Sequence, residues 1–209
     1  MKFSKEFKEA ISCLPEKEKD KLLIRLLKKD LILAQRLEFE LIDDLSVDER
    51  RALIADDIET EVKKFSGYSG SIGYLNMDMR YLSGSITKHV KITKDKFGEV
   101  SLNILMLTEV LQLNNERIQQ ASFSHARKLL VAIIARAFKI VVLTHKLDED
   151  YLIELEKPLN RLGQLISEND YLMNTAIHNG FDVNWLLSAS IPEDIDEIHR
   201  NLKKQGYFK

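Results

Sequence analysis

The residues able to do chemistry here are five histidines (His89, His125, His145, His178, His199), one cysteine (Cys13) and a dense run of carboxylates. Asp57 and Glu61 stand four apart in "DDIETE", so on a helix they share a face and offer two oxygens to a hard cation. The aspartate-rich signature of terpenoid synthases would need an acid at position 60, where this chain has Thr60. No Glu stands three residues before any His, which removes the ligand spacing of carboxylate-bridged di-iron bundles. The histidines form no H-x-x-x-H or HExxH pair, and Cys13 has no zinc-ligand pattern around it. Asp196 with His199, and His178 with Asp182, are spaced for local hydrogen bonds rather than for acid–base work.

Nucleophile chemistry is no better supplied. There is no G-x-S-x-G, and the S-x-x-K of "SITK", Ser85 and Lys88, lacks the companion motifs of a penicillin-binding site. Gly67, Gly70 and Gly73 in "SGYSGSIG" form neither a dinucleotide fingerprint nor a phosphate loop, because no GK[ST] ending follows. A flexible connection is the expected role. No metal and no cofactor is expected.

Charge layout carries more information. Residues 38–61 hold ten acids against Arg50 and Arg51, whereas residues 117–147 hold six bases (Arg117, Arg127, Lys128, Arg136, Lys139, Lys146) and no acid. On a helix, His125, Lys128, Arg136, Lys139 and Lys146 fall near one line, since their separations approximate multiples of 3.6. These five are the candidate binding residues for an acidic protein or peptide surface. A second basic segment, "KHVKITKDK" at 88–96, would favour phosphate if it shared that face, but both segments lack the aromatics that stack on bases. Because a buried charge is costly, Arg136 and Lys139 should be held by acids of the same chain, with 38–61 the expected source.

The elements that must position these residues read as helices. Three prolines and eight glycines in 209 residues leave long uninterrupted segments. Leu22, Leu23, Leu26, Leu27, Leu33 and Leu37 recur at helical intervals, and no segment alternates as a half-buried strand would. "SVDE" at 46–49 and "SIPE" at 190–193 are capping-box patterns, while Gly98, Gly180 and Gly206 sit where helices could end. Pro158 should start or kink a helix. The spacing predicts helices near 4–12, 15–43, 47–65, 72–96, 99–119, 123–146, 149–166, 169–179, 183–189 and 191–205. Tyr74, Met77 and Tyr81 form a stripe at helical spacing that reads as a core face.

The fold expected is all-α, about ten helices as an irregular bundle or a HEAT-like stack of helical hairpins. It would form a single domain over 1–209, with a subdivision into 1–65 and 74–209 as the variant. "LLVAIIARAFKIVVLTHK" at 129–146 is the most apolar stretch, but Arg136 and Lys139 interrupt it, so it is not a membrane span. A composition 44% hydrophobic and 31% charged, net charge −2 and one cysteine suit a cytoplasmic globular protein. The function expected is a non-enzymatic interaction module for a protein or peptide partner. A nucleic-acid- or phosphate-binding protein using the 125–146 stripe is the alternative, and an enzyme of unrecognised type the third reading.

Overall fold

A computed structural model describes residues 3–68 and 71–208. Among these the chain is all helix: α1 (Lys5–Ser12), α2 (Glu16–Leu27), α3 (Leu31–Leu41), α4 (Val47–Ser66), α5 (Ile72–Thr93), α6 (Lys96–Gln120), α7 (Phe123–Thr144), α8 (Glu149–Ser167), α9 (Asp170–His178), α10 (Asn184–Leu187) and α11 (Ile195–Lys204). Gly70, of the "SGYSGSIG" stretch, lies outside the described residues.

Contacts divide the chain into two compact units, residues 1–44 with 91–93, and residues 45–90 with 94–209. The break falls at 44/45, ahead of α4. Its reason is that α4 packs along α6 and sends Ile58 and Val62 into the core of the second unit.

In the first unit α2 packs on α3, and no residue of α1, α2 or α3 is buried. The helix predicted over 15–43 is two helices. Asp30 leaves helical geometry (φ −129°, ψ 91°) and its carboxylate accepts from the Leu33 amide at 3.0 Å, so it caps α3.

The second unit is built around α6 and α7, where Leu107, Leu111, Leu130, Ile133, Ile134 and Phe138 are fully buried. Helix α6 packs on α4, α7 and α8; α7 packs on α9 and α11; α8 packs on α9 and α10. Packing against α6, α9 and α11 explains why α7 is apolar around most of its circumference. Four aromatic rings, those of Phe181, Trp185, His199 and Phe208, surround Phe138 with centroids 4.6–5.6 Å away.

Local chemistry sets the helix ends. Ser46 Oγ accepts from the Glu49 amide at 3.2 Å and Glu49 Oε2 accepts from the Ser46 amide at 2.8 Å, so the first capping box forms. The second does not. Residues 189–192 are irregular and 193–194 a turn, Ala189 takes φ 50°, and α11 starts at the buried Ile195, so Ser190 caps nothing. Gly180 (φ 68°) and Gly206 (φ 94°) end α9 and α11 in Schellman geometry: Phe181 and Tyr207 amides donate to the Ala176 and Leu202 carbonyls. Helix α8 runs on through Pro158, which is exposed, so the lost backbone bond lies on the solvated side.

Gly98 differs from its expected role. It lies in the first turn of α6, and its amide donates to Asp95 Oδ1 at 2.7 Å. A β-carbon there would meet Asp95 Oδ2 at 2.0 Å. The glycine is required by the carboxylate seated over it, not by a helix end.

Candidate interaction site

The structure gives each member of the 125–146 stripe a separate surrounding. His125 Nδ1 lies 2.6 Å from Ser122 Oγ, at the start of its own helix, and Lys128 is exposed. Lys139 donates to Glu99 on α6 at 2.6 Å, and Lys146 to Asp196 on α11 at 2.7 Å. Arg136 Nη1 donates to the neutral Asn103 Oδ1 at 2.9 Å, and its Nε, also buried, has no partner. Burial lowers the Arg136 pKa from its ordinary value. The expectation that acids of 38–61 would hold Arg136 and Lys139 is therefore corrected: one partner is an amide, and the acid that serves Lys139 comes from α6. Glu99 and Asn103, one turn apart on α6, thus face Lys139 and Arg136, about one turn apart on α7.

The acidic and basic segments do meet, with the roles reversed. Arg51, a base inside the acidic run, holds Asp95, an acid inside "KHVKITKDK", through Nε–Oδ2 at 2.7 Å and Nη2–Oδ1 at 2.9 Å. His89 Nε2 lies 3.2 Å from the same Oδ2, and the Arg51 guanidinium covers the Phe97 ring at 4.9 Å. Burial pushes the Asp95 carboxyl up, but the bonds from His89, Arg51 and the Gly98 amide outweigh it and hold its pKa at about 2. Lys94 takes φ 61°, the left-handed turn that lets Asp95 cap α6. All of these groups satisfy one another, so the cluster is a clasp between α4, α5 and α6.

The other candidates for chemistry are not brought together. Among the described residues no three of His, Cys, Asp and Glu converge as metal ligands, and Glu61 pairs with Lys64. Asp196 serves Lys146 rather than His199, which packs on Phe138. Among the described residues no helix is long and apolar enough to cross a membrane.

A surface that sequence reading assigned to the core is open. Tyr74, Met77 and Tyr81 on α5 are 61%, 43% and 70% exposed, while Leu75, Met79, Leu82 and Ile86 supply that helix's buried face. Both sets have helical spacing. The distinguishing signal is that the aliphatic set runs over three turns, whereas the aromatic set stops at Gly84. At the N-terminal end of this face a 210 Å³ pocket opens between α4, α5 and α6, lined by Phe65, Tyr68, Tyr74, Leu75, Asp78 and Arg117. Arg80 and Lys88 are exposed on the same helix.

No family model, curated protein or solved structure matches this chain.

Proposed function

We propose that the protein is a helical interaction module that binds a partner protein through the outward face of α5. The carrying observation is the contiguous exposure of Tyr74, Met77 and Tyr81 beside the pocket under Tyr74. Tyrosine and methionine are enriched at protein interfaces, and an apolar patch next to a side-chain-sized pocket is the arrangement of an interface anchor. Exposed Arg80 and Lys88 favour a partner helix with acidic flanks. The 125–146 stripe supports this less well than α5 does, because Arg136, Lys139 and Lys146 already have partners.

A photo-crosslinking residue at Met77 would capture the partner, and the purified partner would then be titrated with the wild type and with Tyr74→Ser/Tyr81→Ser. The double variant should keep its melting temperature and bind more than about tenfold more weakly, since interface hot spots, in which tyrosine is enriched, cost about 2 kcal/mol or more when truncated. Equal binding by both proteins, or crosslinks that join only copies of this chain, would defeat the reading.

A further inference from the structure

Where α7 begins, α9 ends and α11 ends, the second unit has a cavity of about 830 Å³ that is open to solvent, with Arg127 exposed at its edge. That is within the roughly 300–1,000 Å³ range of small-molecule sites. Its frame is fixed by hydrogen bonds. Buried Asn179 donates to the Thr175 carbonyl at 2.8 Å and accepts from the Phe208 amide at 2.8 Å, which ties the segment after α11 to the end of α9. The two Schellman turns occupy the carbonyls at both helix ends, and the Tyr207 ring meets the His178 ring edge-on at 6.4 Å.

The lining is chemically lopsided. Phe123, Val131, Tyr207 and Phe208 supply apolar and aromatic surface, Asn174 and Gln205 supply amides, and no Asp or Glu takes part. Arg127 lines the same cavity and makes no hydrogen bond or ion pair among the described residues. A guanidinium in a cavity without an acid is matched by a carboxylate, which it can hold through two parallel bonds. One guanidinium suits a single negative charge, while phosphate recognition usually recruits several cations. Aromatic walls suit a planar body.

We propose that this cavity binds a small planar monocarboxylate, with the carboxylate on Arg127 and the ring among Phe123, Tyr207 and Phe208. The site is separate from the α5 face, so each proposal can fail alone.

The test is titration of the full chain, followed by amide proton–nitrogen correlation spectra, with 2-naphthoate, neutral 2-naphthamide and 2-naphthyl phosphate. Naphthoate should shift the amides of residues lining the cavity and saturate. Naphthamide should bind at least about tenfold more weakly, as should naphthoate to Arg127→Gln, because a hydrogen bond to a charged group is worth about 1.5 kcal/mol or more. Arg127 has no partner to lose, so that variant should melt with the wild type. Asn174→Trp, at an exposed position of α9, puts an indole into the space assigned to the ring and should weaken binding at least about tenfold, which keeps the proposal testable should Arg127→Gln fail to fold. Absence of naphthoate binding up to its solubility limit, equal affinity for naphthamide, shifts located elsewhere, or tighter binding of the phosphate would each overturn the proposal.

Discussion

A buried charge and a half-buried one in this molecule have opposite consequences. Asp95 is held by Arg51, His89 and the Gly98 amide, so its ionised form is stabilised in the fold. With its pKa depressed from 3.8 to about 2, the group stabilises the protein above about pH 4. That stability, roughly 2 kcal/mol, disappears as pH falls from about 4 through about 2. Asp95→Asn should lose about 3 kcal/mol at neutral pH, since Arg51 then keeps only the solvent-exposed Asp48, 3.0 Å away, as its anion. The gap between variant and wild type in urea denaturation should then narrow below pH 4; a constant gap would mean that Asp95 does not titrate as placed. Arg136 is the contrasting case. Its partner is neutral, and replacement by Met orphans one amide oxygen while removing a poorly satisfied charge. Thermal and urea unfolding of Arg136→Met should show a change within about 1 kcal/mol. A loss of 3 kcal/mol or more would require an acid partner after all. The sequence revealed that Arg136 and Lys139 needed partners, because burial of charge is a property of composition and spacing. It could not reveal which partners, because helix offset across α6 and α7 is set by packing.

At the level of elements, spacing and caps located most helices to within a few residues, from α4 through α9. The misses have local causes: a capping Asp30 inside an apolar run, a buried Ile195 that outcompetes Ser190 for the helix start, and a glycine needed under a carboxylate. Gly98 and Gly84 make this last point testable. Gly98→Ala forces a β-carbon onto Asp95 Oδ2, so it should cost more than about 2 kcal/mol and carry the loss of the Asp95 clasp with it. Gly84 has no heavy atom beyond its own helix backbone and chain neighbours within 4 Å of its would-be β-carbon and sits inside α5, so Gly84→Ala should stabilise by about 0.5–1 kcal/mol. Melting curves of the pair should move in opposite directions. The buried face of α5 is not legible in the sequence because two stripes on that helix both carry helical spacing, and periodicity alone does not say which one is buried.

For the whole molecule, the core decides what can fold alone. Every buried hydrophobic residue of the core cluster lies between Ile58 and Ile195, and none comes from residues 3–44. Helices α1, α2 and α3 have 8, 12 and 11 residues, lengths that are marginal in water without packing, and none of them has a buried residue. Leu22, Leu23, Leu26 and Leu27 look as apolar in sequence as α7 does, yet none of them is buried; hydrophobicity is legible in the sequence, but its burial is not. A fragment of residues 45–209 should therefore keep a helical circular-dichroism spectrum and a single cooperative thermal transition. The isolated 1–44 segment should show weak helicity and no cooperative transition, since about 40 residues seldom bury enough surface to fold unaided. Loss of cooperativity in 45–209 would show that the core depends on the N-terminal helices despite containing none of their residues. Retention would allow the α5 face and the naphthoate cavity to be assayed on the fragment, each free of the exposed leucines of α2 and α3.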